Sequence, residues 1–423
     1  MPSDPADQAS KTGHPRLWVA GLVLLALVAG AFLLLRDDSV EVPVPPPGER
    51  KASNGSGTAR SSAATDLLAD LTQALSEGTR RETVALAAPD NEQAARALGD
   101  IYDNVNGLGI TDLSMRYVDE NAGRAADGWV ADVELGWQIG GFDEAASAME
   151  VSLTLADTKD GAAFVAASGD YGNRAPLWLL DDLAVAQSRN ALVMTADQSE
   201  ADRFLTLADQ AVVDVRKVLP QWRGRLVVAV PESQDQLNQT VAAEENAYDA
   251  IAAITATADG SLDPTSPAHI LVNPTVFGKL GSDGAQIVMS HEATHVATDA
   301  ATSSMPMWLL EGFGDYVALA HVDLPVSVTA SQILADVRND GPPAGLPGGK
   351  DFDPANKDIG AAYESAWLAA RYLAQEYGEK TLIAFYRVVD DGASTESAFK
   401  DVLGTDQQRF TSGWQRYLRQ LAT

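Results

Sequence analysis

Five consecutive residues, His291-Glu292-Ala293-Thr294-His295, constrain this chain more than any other feature, and they sit in the run DGAQIVMSHEATHVATD. A helix turns about 100° per residue, so His291 and His295 fall about 40° apart on one face. Ile287 and Val288 share that face, and Glu292 lies on its flank. Asp283, with Gln286 three residues on, reads as a capping-box start for the helix. A carboxylate beside two imidazoles on an apolar face is costly to bury unless a metal or partner compensates. Two imidazoles one turn apart can both reach a single metal ion at about 2.0–2.1 Å. The Glu beside the first His then faces water polarised by the ion, where it can take a proton and later return it to a leaving amine.

Cysteine is absent, which excludes thiol catalysis, disulfides and Cys-based zinc sites together. Any metal must be held by His, Asp and Glu, drawn from only five His. A formal net charge of −29 repels phosphate backbones, so no nucleic-acid partner is expected.

The run Met305-Pro306-Met307-Trp308-Leu309-Leu310-Glu311-Gly312-Phe313-Gly314-Asp315-Tyr316 predicts a second helix, with Pro306 suited to its first turn. Glu311 and Asp315 lie one turn apart in a segment too apolar to be a solvated edge. Two glycines inside a helix cost about 1 kcal/mol each relative to Ala. Close approach of this helix to the first would account for them.

H-E-x-x-H followed by W-x-x-E-G-x-x-x-Y resembles the gluzincins, the thermolysin-like and aminopeptidase-like zinc peptidases, and especially the small peptidase MA-like domains. That resemblance covers roughly residues 200–423. It implies Zn2+ held by His291, His295 and Glu311, with Glu292 as general base and Asp315 orienting a ligand His. Tyr363 opens a helical stripe of Tyr363, Trp367, Ala370, Ala374 and Tyr377 that stops at Gly378. In gluzincins of this kind a Tyr at the start of such a helix stabilises the oxyanion, so Tyr363 is the candidate and Tyr316 the fallback. No Gly-x-Met-Glu-Asn-like strand for capturing a free amine is present. The short run His269–Val272, closed by Asn273-Pro274, reads as an edge strand able to take an extended peptide by strand addition. The long loop Asn339–Asp358 is a candidate cover for the cleft.

Toward the N-terminus, residues 17–35 read LWVAGLVLLALVAGAFLLL, nineteen residues without a charge. That spans about 28 Å as a helix and reads as a single membrane anchor. Arg16 and Arg36 flank it, and charge bias favours a cytoplasmic tail over 1–16 with everything after residue 36 outside the cell, in the bacterial manner. Residues 36–64 are Pro-, Gly- and Ser-rich and read as a linker. Residues 65–199 show helices and then strands at Trp129–Ile139, Met149–Ala156 and Ala162–Ser168, an α+β accessory domain whose layout resembles nuclear-transport-factor-like folds. The expectation is therefore α+β: anchor, accessory domain, then over 200–423 a mainly α-helical peptidase domain with a small sheet. Its partner would be a peptide or protein substrate. The alternatives are a catalytically silent binding or sensory protein and a zinc hydrolase acting on a cell-wall amide.

Overall fold

The computed structural model describes residues 55–122, 128–168, 173–241, 251–320, 322–353 and 356–423. It shows two sheets with helices around them. The expected anchor over 17–35 lies outside the described residues. Among those described, no helix is long and apolar enough to cross a membrane. The expectation of an anchored α+β chain is corrected to a mixed α/β architecture in which no described helix can span a membrane. The reason is visible in the helices themselves. The longest, α1 (Gly55–Glu77), carries Arg60, Asp66, Asp70 and Glu77 between its apolar positions.

That helix also overrides the expected linker, which was to run to residue 64. Ala64 is fully buried, and Arg60 reaches across to Glu120 at 2.8 Å and Asp157 at 2.7 Å. Tertiary contacts thus order a polar, small-residue stretch that local propensity alone leaves open. A second helix, α2 (Glu92–Leu108), is capped by Asn91 and stopped by Gly109 in the left-handed region. The first sheet follows as an antiparallel meander of β1 (Ile110–Glu120), β2 (Trp129–Ile139), β3 (Ser147–Thr158) and β4 (Gly161–Ser168). The sequence reading missed β1. Its register slips between Thr111 and Ser114 and again between Tyr117 and Asp119, which breaks the alternation that announces a strand.

The second sheet has the order β5-β6-β7-β9-β8. Its strands are β5 (Ala184–Gln187), β6 (Ala191–Thr195), β7 (Leu226–Val230), β8 (Ala253–Thr257) and β9 (Ala268–Val272). The parallel β6–β7 pair is joined through helix α3 (Gln198–Val218), so strands on both sides of residue 200 share one sheet. Both faces are covered. Leu192, Met194, Val227, Ala229 and Leu271 join the core of the first sheet, while Val193, Val228, Ile270 and Val272 face the helices. This is why the strands read as continuous apolar runs.

Two local expectations change. The strand His269–Val272, part of β9, is interior rather than an edge, because it pairs with both β7 and β8. Asn273-Pro274 ends it by starting a helical turn, with the Asn273 side chain capping Thr275 and Val276. The edge is β8. Helix α4 (Ser282–Ala297) starts without a side-chain cap, and Gln286 bonds the Leu207 carbonyl and Ser290 instead.

Helices α4, α5 (Met307–Leu319), α6 (Ser331–Asp340), α7 (Ile359–Tyr377), α8 (Glu379–Asp390) and α9 (Gln407–Leu421) build the layer that holds the site. A Cβ at Gly312 would lie 2.4 Å from the Ala366 carbonyl, so its glycine lets α5 lie directly on α7.

Candidate metal centre

Helix α4 presents His291 and His295 on one face, as the spacing requires, with ring centroids 4.5 Å apart and planes at 85°. Helix α5 delivers Glu311 to the same point. Its Oε2 lies 3.2 Å from His291 Nε2 and 3.5 Å from His295 Nε2. One ligand atom from each of the three residues falls within 4.8 Å of the others, and all three residues are buried. Gly314 makes this approach possible, since a Cβ there would sit 2.9 Å from His291 Cε1. The glycines of α5 therefore answer to two contacts, Gly312 to α7 and Gly314 to the imidazole.

Asp315, one turn beyond Glu311, accepts a hydrogen bond from His291 Nδ1 at 2.8 Å. That bond fixes the ring so that Nε2 faces Glu311. His295 Nδ1 has no partner among the described residues. Of the other three histidines, His269 is bonded to Asp143 at 2.8 Å, and His14 and His321 lie outside the described residues.

Glu292 is completely buried. The Thr255 hydroxyl, on β8, lies 2.7 Å from its Oε2 and donates to it, while Oε1 has no partner among the described residues. Thr255 is the residue that sequence reasoning missed. It stands 37 positions away on another element, and no local pattern marks it.

Three buried carboxylates against two imidazoles leave an excess of negative charge, and the side chains show it. Burial pushes the Glu292 carboxyl up to about 8. Burial also raises Asp315. Glu311 is the exception: burial opposes its ionisation, but His295 and His291 hold it down to about 2. Burial disfavours the charged form of His291 too, yet the Asp315 and Glu311 carboxylates raise its pKa well above the ordinary value. His295, more affected by burial than by Glu311, is lowered. A dication at the convergence would satisfy Glu311 Oε1, which has no partner among the described residues. It would also offset the surplus charge. Two imidazole nitrogens and a carboxylate oxygen make a donor set suited to zinc.

The two tyrosine candidates sit differently. Tyr363 is buried at the start of α7 with its ring edge-on to Phe352, centroids 5.1 Å apart. Phe352 itself is fully buried and belongs to the long loop, which is thereby anchored beside the tyrosine. Tyr316 donates its hydroxyl to Glu379 at 2.8 Å, an engagement that leaves it a poorer donor for a substrate. No family model, no curated protein and no solved structure matches the chain.

Proposed function

We propose that the chain is a zinc-dependent peptidase in which His291, His295 and Glu311 hold the metal and Glu292 is the general base. The observation that carries this reading is the convergence of two imidazole nitrogens and a carboxylate oxygen within 4.8 Å, beside a buried carboxylate with one bare oxygen. When bound, zinc would polarise the scissile carbonyl and lower the pKa of water to about 7. A dication beside Glu292 also favours its ionised form, which burial alone opposes. Glu292 would accept the proton of the attacking water and return it to the leaving amine. Tyr363 would donate to the developing oxyanion.

A peptide substrate paired by strand addition would meet the outer strand β8. Ala252 accepts from the Asn273 amide and the Ala258 amide donates to Pro267, both on the β9 side. By alternation, the backbone groups of Ala253 and Thr255 point away from β9, toward the sheet edge. All five residues of β8 are buried, so a peptide would have to displace what covers this edge before pairing beside Thr255.

The test is Glu292→Gln in the full-length protein, with casein as substrate. Turnover is expected to fall by about 10²–10⁴-fold with the zinc content unchanged. A variant that digests casein at the wild-type rate would sink the proposal.

A further inference from the structure

We propose that Thr255 is a positioning residue for this chemistry: its hydroxyl pins Oε2 of Glu292, so that Oε1 is the oxygen that accepts and returns the proton. The inference rests on the function proposed above.

Thr255 stands in the middle of β8, paired with Ile270 of β9. Its neighbours Ile254 and Ala256 belong to the core shared with the first sheet, whereas Ala253 belongs to the core on the helical side. By alternation the Thr255 side chain points to the helical side, toward α4. A valine would fill the same space with similar strand preference. The hydroxyl is therefore a polar atom in a place that packing could serve without it, and a buried hydroxyl needs a partner.

Two acceptors are in reach, the Glu292 carbonyl at 3.1 Å and Glu292 Oε2 at 2.7 Å. One hydroxyl proton serves one of them at a time. The shorter contact is to the carboxyl oxygen, and once that group is ionised its bonds are about twice as strong as neutral ones. Glu292 hangs on several rotatable bonds, whereas a β-branched threonine on a paired strand has little freedom. The strand thus acts as a rigid clamp on a flexible base. With Oε2 held, a proton taken from water goes to Oε1, then to the leaving nitrogen as the C–N bond breaks, and the carboxylate regains its starting charge.

The experiment compares Thr255→Val and Thr255→Ser with wild type in the full-length protein. Zinc content is read by elemental analysis, and kcat and KM are measured on a casein-derived peptide. Thr255→Val should keep its zinc and lose about 10–100-fold in kcat with KM within about twofold. Thr255→Ser should recover most of the loss. Wild-type kcat in Thr255→Val, or a Ser variant as impaired as the Val variant, would overturn the assignment. A second readout needs no turnover: melting of the chelated protein in a cycle of Thr255→Val with Glu292→Leu. The two melting shifts should be strongly non-additive if the hydroxyl holds the carboxylate. Additive shifts would assign the hydroxyl to the backbone carbonyl and end the proposal. A wild-type protein that cleaves nothing would refute the peptidase reading, and the melting cycle would still decide the Thr255–Glu292 contact.

Discussion

At the scale of single residues, Asp315 sets the orientation of His291 in the proposed metal centre. Its carboxylate accepts a hydrogen bond from Nδ1 at 2.8 Å and leaves Nε2 turned toward Glu311. Removing a bond of this kind costs metal affinity even though the ligand itself is untouched. Asp315→Asn should weaken zinc binding by about 10–100-fold in competition with a chromophoric chelator. Equal affinity in the two proteins would make Asp315 a bystander. The His pair and Glu292 were legible in the sequence because helical spacing sets them on and beside one face, whereas Glu311 was marked by the resemblance of its run to the gluzincin motif. Thr255 was not, since it reaches Glu292 only through the order of strands in a sheet.

At the scale of elements, α6 begins at Ala330, whose side chain cannot cap it. The missing acceptor comes from another helix: Glu364 of α7 takes the Ile333 amide at 2.7 Å. Burial pushes this carboxyl up to about 7 from an ordinary 4.5, against the pull of the Ile333 and Gln332 amides. The folded state then keeps a proton that the unfolded state has lost across that window. Stability therefore falls as pH rises from about 4.5 to about 7. Glu364→Gln keeps an acceptor for the cap and cannot ionise. Relative to wild type it should gain stability between about pH 5 and about pH 8, read as urea midpoints. A constant difference across that range would show that Glu364 does not titrate there. Such a cap across two helices has no sequence signature, because the acceptor lies 31 residues beyond its donor. The same limit hid the start of α1, which only its packing reveals, and the interior place of β9, where the Pro that suggested an edge belongs to the following turn.

For the whole molecule, the second sheet is the element that joins everything. One face shares a core with Trp137 and Trp178 of the first unit, the other with the helices that carry the site. Residues on both sides of position 200 build it, and so a boundary drawn from the change in pattern divides what parallel pairing unites. Strand pairing across an intervening helix is non-local and leaves little trace in a run of valines. The meander of β2, β3 and β4, by contrast, was legible because each strand alternates or runs apolar between turn residues. The sheet also sets the position of α4 against β8, and with it the meeting of Glu292 with Thr255.

The claim on which the account turns is that two helices converge to hold one dication. Its most direct test is the zinc content of the full-length protein after equilibration with the metal and removal of excess, wild type beside Glu311→Ala. The account predicts close to one equivalent per chain in the wild type and little in the variant. A wild type that keeps no zinc, or a Glu311→Ala protein that keeps a full equivalent, would contradict it.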